Sequence, residues 1–568
     1  MHIHVVPNRG SPPTVLLRES YREGTTVGKR TLANLSALSA AQIEAIRAVL
    51  RGEELRPVAQ CFEITASRAH GHVQAVAATM QRLDFASLIG SKRGRERDLV
   101  LAMVAARIVD PDTKLATTRR WHSTTLAEGF GVTGANEDDL YAAMDWLLAR
   151  QDKIQKKLAA RHLSAGGLVL YDLSSSYFEG STCPLARRGY SRDGKPGTLQ
   201  VNYGLLTDAR GCPVAVSVFE GNTADSKTFM PAVQRVREDF GLEHVVMVGD
   251  RGMVSQKAID ELRESDGIGW ITALKSASIR ALVEQGQLQL GLFDERNLVE
   301  LSSPDYPGER LVACRNGALA KLRAHKREDL LAATEASLAE IKARVDAGKL
   351  GGQDKIGLRV GKIINKYKVA KHFELSIGQA SLAWVRRHDL IDAEAALAGL
   401  YIIRTSVSAT QMDAPQCVRN YKSLANVERA FRSLKTIDLK VRPIHHRLAD
   451  RVRSHIFLCM LAYYVEWHMR EAWRELMFAD TEQALKATRD PVAPANRSAS
   501  AQSKAASQTL VDGSPVHSFA TLMSELAMIV RNTCRTPHAG PNAPTFDVLT
   551  TAGPTHQRAL ALIEEIKL

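Results

Sequence analysis

The rhythm of hydrophobic and polar positions changes twice along the chain, and those changes divide it. Residues 1–30 read as a strand or two around a Pro/Gly turn, and from Leu35 the spacing becomes helical. Ser39 is placed to cap AAQIEAIRAVL, and residues 93–111 give another helix. Asn136, with Asp139 three positions later, caps what reads as one long helix, DDLYAAMDWLLARQDKIQKKLAARHL, with Tyr141, Met144, Leu147 and Leu148 on its buried face. Between these, residues 58–85 (VAQCFEITASRAHGHVQAVAATMQRLDF) fit two short helices around EITAS. That is a helix-turn-helix with Arg68, His70 and His72 near its second helix, or a plain packed helical hairpin.

At residue 166 the period shortens to that of strands. GGLVLYD ends on Asp172, and VNYGLLTD (201–208) and CPVAVSVFEG (212–221) form a hairpin through a turn at Asp208 to Gly211. KTFMPAVQRVREDF is a helix, and HVVMVGD (244–250) is an unbroken apolar strand of the kind buried in a mixed sheet, ending on Asp250. A helix over 255–265 and a strand, GWITALK (269–275), follow. Asp172 and Asp250 are thus both expected at the C-terminal ends of apolar strands.

That pattern breaks between about 276 and 400. Strand-like LVEQGQLQLGLF precedes a helix of roughly thirty residues, with Leu331, Thr334, Leu338, Ile341 and Val345 along one side and Arg323, Lys326 and Arg327 near its start. The basic stretch KIGLRVGKIINKYKVAKHFELSIGQASLAW alternates in places like antiparallel strands, and LYIIRTS (400–406) reads as one more strand. YKSLANVERAFRSLKTIDLK, Tyr421 to Lys440, then reads as one helix with Val427, Phe431 and Leu434 as its apolar stripe. Tyr421, Glu428 and Lys435 are seven apart and share a face, with Arg432 one turn beyond the glutamate. Helix continues through HIFLCMLAYYVEWHMREAWRELM, a small-residue linker of mobile composition spans about 490–510, and a last helix near 519–531 precedes the tail ALALIEEIKL.

A chain of 568 residues exceeds one core. Net charge +13 fits a polyanion partner better than an acidic small substrate, because basic surfaces gain free energy by releasing counterions from nucleic acid. The seven cysteines are scattered without a CxxC pair, which indicates neither a zinc module nor a disulfide scaffold and suits a reducing compartment. No apolar run reaches membrane-spanning length and the opening residues lack a signal core, so a cytoplasmic protein without membrane contact is expected.

Asp172, Asp250 and Glu428 can converge if the two strand ends lie side by side and the late helix packs across them. Three such carboxylates suit two Mg²⁺ ions, since hard cations favour oxygen ligands. One ion would activate a water or a 3′-hydroxyl and the other would stabilise the departing oxygen, with Asp172 bridging and Asp250 and Glu428 each completing one shell. On spacing alone the plainer readings stand beside this one. A strand-end Asp is very often a turn former or helix cap, DRG after Gly249 could close on an Asp250–Arg251 contact, and the Glu428 face could be a solvated face with an ordinary ion pair.

The motifs LVLYDLSSSYFEG and VVMVGDRGMVS, and the Y-x2-R-x3-E-x6-K spacing from Tyr421, resemble the bacterial insertion-sequence DDE transposases of the IS4-like group, most closely the IS1634-type branch. The resemblance covers nearly the whole chain and is strongest over about 166–275 and 418–460. It implies an α/β fold: an RNase H-like catalytic core with a large β-containing insertion, preceded and followed by mainly helical regions. On that plan residues 1–165 recognise DNA ends, 166–275 and 407–480 make the core, 276–406 the insertion, and 481–568 a linker and helical tail. The resemblance also implies Mg²⁺-dependent DNA cleavage and strand transfer by the three acids, with Mn²⁺ able to substitute. The implied partners are double-stranded DNA with terminal inverted repeats, target DNA, and a second copy of the chain in a homodimer assembled on DNA.

Tyr421 and Lys435 match the signature and are expected to contact DNA phosphates. The family arginine is replaced by Leu424, which cannot clamp a phosphate, and Arg432 could supply that charge. Arg188, Arg192 and Lys195, in and beside GYSRDGKPG (189–197), are further phosphate candidates, or members of a solvated turn. Asn222 and Asp225 could shape the site's rim or cap a helix, Trp384 could stack on a displaced base or fill core, and the run from Arg442 to Arg453 could track a backbone. His445 and His446 are not read as metal ligands, because no second close pair accompanies them. The rival functions are another metal-dependent DNA nuclease on the same fold, and a transposase-derived protein that binds DNA without cutting it.

Overall fold

The computed structural model describes residues 1–53, 55, 61–264, 266–289, 291, 293, 297–537 and 542–567, which fall into two units. The smaller comprises 1–68 with 530–551. Its strands β1 (His2–Val6), β2 (Thr14–Glu23) and β3 (Thr26–Asn34) form an antiparallel meander, one strand more than the sequence suggested. Helix Ala40–Leu50 starts where expected, because Ser39 and Gln42 exchange side chain-to-backbone hydrogen bonds and satisfy two orphan donors.

The helix-turn-helix is not formed. Residues 58–60 lie outside the described residues, and EITASRA is a strand, β4 (Glu63–Ala69), joined to a sheet with Val530–Arg535 and Thr545–Leu549. Thr65 Oγ1 donates to the Thr533 carbonyl at 3.1 Å. A partner that far along the chain leaves no trace in local periodicity.

The larger unit opens with helices at Gly71–Arg82, Phe85–Ile89, Arg95–Val109 and Lys114–Arg120. The Asn136–Asp139 capping box is present, but the long helix expected after it is two, Glu137–Leu148 and Gln151–His162. Tertiary contacts impose the break: Arg150 folds back over Trp146, 3.8 Å from its ring centre, and Gln151 donates to the Val216 carbonyl of the core sheet at 3.0 Å. Helix Ala449–Ala472 is buried on nearly every side and packs against Arg95–Val109 and Glu137–Leu148.

The core strands are β5 (Leu168–Tyr177), β6 (Arg187–Arg188), β7 (Leu199–Thr207), β8 (Pro213–Glu220), β9 (Val245–Gly249), β10 (Ile268–Ala273), β11 (Leu298–Leu301) and β12 (Arg310–Arg315). The hairpin β13 (Phe373–Ile377) and β14 (Leu382–Arg386) stands apart, and β15 (Leu400–Thr405) returns to the core. The sheet has nine strands in the order β11-β12-β15-β10-β9-β5-β7-β6, with β8 on β7. β5, β9 and β10 are mutually parallel and the other pairs antiparallel, so the fold is mixed α/β.

Asp172 is not at a strand end. β5 continues five residues past it, because Leu173–Tyr177 stay paired with β7 and Ser174, Ser175 and Ser176 are buried there. Residues 298–301, 310–315 and 400–405 belong to the same sheet as the two aspartates. Of the strand-like LVEQGQLQLGLF, the start lies in a helix, Ser276–Glu284, while residues 290 and 292 lie outside the described residues. The thirty-residue helix is Gly317–Asp346, with Leu331, Thr334, Leu338, Ile341 and Val345 buried as read. KIGLRVGKII is helical (Gln353–Ile364) rather than extended, its Ile356 and Val360 one turn apart against Leu338 and Ile341. Trp384 packs on the same cluster, which leaves it in the insertion's core.

Residues 490–510 are more ordered than their composition suggests. Ser498 caps helix Ala499–Ser507, and buried Lys504 donates to the carbonyls of Arg474, Met477 and Ala479 at 3.2, 3.2 and 3.3 Å. Helix Phe519–Ala527 ends short of 531 because Val530 begins a strand, and helix Pro554–Glu564 closes the tail. Among the described residues, no helix is long and apolar enough to cross a membrane.

Candidate active site

The segment carrying Glu428 is not one helix but three consecutive turns of structure: Ala414–Lys422, Leu424–Arg432 and a wider π turn, Ser433–Ile437. Asp413 caps the first by accepting from the Gln416 amide at 2.7 Å, and the break falls at Ser423, whose hydroxyl donates to the Asn420 carbonyl at 2.5 Å. Leu424, Val427, Ala430 and Phe431 are the buried stripe, packed on β5, with Phe431 edge-on to Tyr203 at 5.7 Å. Two anchors fix the helix. Ser433 Oγ donates to buried Glu466, which Arg470 links on to Asp438. At the other end Asn426 donates to the Ala209 carbonyl at 3.1 Å, against a turn where Gly211 has φ +89° and a Cβ would lie 2.7 Å from that of Asn426.

Strand register supplies the two aspartates. β5 and β9 run parallel with Tyr171 opposite Gly249, so Asp172 and Asp250 are the next residues on neighbouring strands. Alternation sends Tyr171 and Leu173 into the apolar cluster with Phe229 and Val254 and turns Asp172 to the other face. Asp172, Asp250 and Glu428 line one cleft of about 550 Å³, together with Arg192, Asp225, Tyr421, Leu424, Arg432 and Lys435. The plain turn at Asp250 is also present, since its carbonyl accepts from the Met253 and Val254 amides, but the carboxylate faces the cleft and accepts from Tyr421 Oη at 3.3 Å. Burial pushes the Asp172 carboxyl up to about 7; the Leu173 amide at 2.8 Å opposes this, Asp250 and Glu428 add to it, and Arg192 opposes it. Burial and the neighbouring Asp250 charge raise the Tyr421 hydroxyl, which therefore stays protonated and donates.

The basic residues divide. Tyr421, Lys435, Arg432 and Arg192 reach the cleft, while Arg188 and Lys195 are not among its lining residues. Arg188 is exposed in the two-residue strand β6, and Lys195 Nζ sits 3.6 Å over the Tyr177 ring centre. Lys435 is buried, and its Nζ donates to Asp193 Oδ1 at 2.9 Å; Asp193 also pairs with Arg442 and accepts from the Tyr177 amide. Arg192 pairs with Asp225 at 2.5 Å. Arg432 is exposed and has no hydrogen-bond or ion-pair partner among the described residues. Leu424 belongs to the buried stripe, so leucine there serves packing. The sequence reading missed Asp193: a carboxylate inside a basic turn gives no local sign that it is the buried counter-ion of residues far downstream.

Asn222 is exposed and Asp225 lies on the cleft rim. The 442–453 run spends much of its charge internally, with Arg442 on Asp193, Arg451 on Asp145 and Arg453 on Asp450. His446 stacks edge-on against Tyr141 and near His455, a packing role.

Residues 172–465, just over half of the chain, match the family model described as the transposase DDE domain, and residues 3–60 match the N-terminal domain of IS1634 family transposases. Among solved structures the chain is similar to the piggyBac transposase synaptic complex with hairpin DNA, at 10% identity and a TM-score of 0.34, with 80% of this chain and 77% of that chain covered. No curated protein matches.

Proposed function

The chain belongs to the IS1634-type DDE transposases, and we propose that its cleft cleaves DNA at terminal inverted repeats and transfers the 3′-hydroxyl ends into target DNA. The observation that carries this reading is the meeting of Asp172, Asp250 and Glu428, from two parallel strands and a helix, in one cleft. The sheet around them is read as an RNase H-like core.

The donor set fits hard divalent cations: Asp172, Asp250 and Glu428, with a fourth lining carboxylate, Asp225, paired to Arg192, and no thiolate or imidazole lining the cleft. The like charge that helps to raise Asp172 is what such cations would offset. Asp172, Asp250 and Glu428 would hold two Mg²⁺ ions, or Mn²⁺ in their place. When bound, they supply charge stabilisation at the attacking and departing oxygens of an in-line displacement at phosphorus.

The chain's own residues do the positioning. The Tyr421 hydroxyl donates to one Asp250 oxygen, and the other has no hydrogen-bond partner among the described residues. Arg432, at the cleft and unpaired among the described residues, is the phosphate contact that takes over from the missing signature arginine. Arg192 joins it once DNA draws it from Asp225, and Lys435 contributes its charge through the Asp193 pair. Arg188 and Lys195 would meet DNA beyond the cleft. Residues 1–165 are assigned to recognition of the terminal repeats and 276–406 to holding the transposon end, with two copies acting together in the cytoplasm on paired ends.

A duplex bearing the gene's own flanking inverted repeats, incubated with the full chain, Mg²⁺ and a target plasmid, tests this. Nicking at the repeat ends followed by joining is the expected result. Cleavage without joining would identify a nuclease, and binding with neither step would identify a transposase-derived DNA-binding protein.

A further inference from the structure

Behind the Glu428 helix lies a second cluster with different chemistry. His162 ends helix Gln151–His162, Cys212 follows the β7–β8 turn, and His468 lies on helix Ala449–Ala472. Each offers a ligand atom, and these lie within 4.8 Å of one another, the only such His/Cys/Asp/Glu group among the described residues. Cys212 Sγ is 3.9 Å from His468 Nε2. In a tetrahedral zinc site, metal–ligand lengths of about 2.3 Å to sulfur and 2.0–2.1 Å to nitrogen place sulfur and nitrogen roughly 3.6 Å apart. The Cys212–His468 pair therefore needs a contraction of a few tenths of an ångström, and the widest pair of the group closes by up to roughly 1–1.5 Å.

We propose that His162, Cys212 and His468 form a structural binding site for Zn²⁺, separate from the carboxylate cleft. A thiolate with two imidazoles selects this borderline-soft ion and disfavours Mg²⁺. Cys212 is a buried thiol, and binding exchanges its proton for the metal: one S–H bond breaks, one Zn–S bond forms, and one proton is released to solvent. Tyr464 Oη lies 3.0 Å from His162 Nε2, and Asp208 accepts from the Cys212 amide at 2.9 Å, contacts of the outer-shell kind that orient ligands. His162 and His468 also line a cavity of about 400 Å³, which leaves the fourth position to water. Arg161 and Arg210 border the same cavity, so the thiolate and the Asp208 charge must outweigh them.

The ion would pin three segments: the last helix of the N-terminal helical region, the β7–β8 turn and the central helix. That turn, through Ala209 and Gly211, abuts Asn426, two residues before Glu428. Zinc would thus brace the helix that presents the third acid.

Cobalt gives the test, because a thiolate-to-cobalt charge-transfer band reports sulfur ligation that the carboxylate cleft cannot produce. Tag-free, metal-stripped full chain is titrated with Co²⁺, and zinc content is measured after Zn²⁺ loading and desalting in a D172N/D250N/E428Q background. The expected result is a near-ultraviolet charge-transfer band with tetrahedral visible bands, and about one zinc per chain. Both are lost in Cys212→Ser and kept in Cys459→Ser, which alters another buried cysteine. A wild-type chain without the band overturns the proposal whatever the variants do, as does a band that survives Cys212→Ser.

Discussion

Replacing Asp172 with Asn removes a charge that the fold holds at a cost. Its carboxyl rises from 3.8 to about 7, chiefly by burial and then by Asp250 and Glu428. Each tenfold step is worth about 1.4 kcal/mol, so the ionised wild type carries a penalty of about 4 kcal/mol at the upper limit. The carboxylate opens on the cleft, and solvent screening brings this to roughly 2–4 kcal/mol. The sign follows from proton counting. Between the unfolded value near 3.8 and the folded value near 7 the native chain binds more protons, so stability falls as pH rises. The penalty is absent below about pH 4 and complete above about pH 7. Thermal melts of metal-free wild type and Asp172→Asn from pH 4 to 8.5 read the difference. The variant gains nothing at the acid end and melts roughly 2–4 °C higher at pH 8, because a unit of this size loses about 1 °C for each kcal/mol. Mg²⁺ or Mn²⁺ should then raise the wild-type melting temperature and shift Asp172→Asn far less. A variant no more stable than wild type at pH 8, or an advantage independent of pH, would refute the account of Asp172 as a buried charge held at a cost.

Two further outcomes follow from the paired and unpaired cations. Asp193→Ala leaves Lys435 and Arg442 without their buried counter-ion, whose carboxylate is 1% exposed, and should cost about 3–5 kcal/mol in urea denaturation; a loss under about 1 kcal/mol would mean the pair is not structural. Arg432→Ala should leave the melting temperature unchanged, weaken DNA binding across sequences, and lower the slope of log affinity against log salt by about one. An unchanged slope in a salt titration would remove Arg432 from the phosphate contacts.

Much of the site was legible because its placement rests on short-range signals. An unbroken apolar run ending at Gly249 specifies a buried strand and puts Asp250 at its end. The Val427–Phe431 stripe specifies which face of its helix is buried. The strand bearing Asp172 reads shorter than it is because buried serines look polar, although β7 pairs with its backbone for five more residues. Glu63–Ala69 reads as helix in the sequence because its sheet partner is a strand near the other terminus. Charge is the least legible layer. Lys435 and Arg192 look free in sequence, and only the fold shows Asp193 and Asp225 against them. The His162, Cys212 and His468 group is invisible for the same reason, since no local spacing joins its members.

The most direct measurement is Mg²⁺-dependent strand cleavage at the terminal repeats by wild type and by the single variants D172A, D250A and E428A, with DNA binding recorded in parallel. The account expects each substitution to reduce cleavage by at least about a thousandfold while binding stays within a fewfold of wild type. Cleavage that persists in any one of the three, in a folded and DNA-binding chain, would contradict a site built from all three carboxylates.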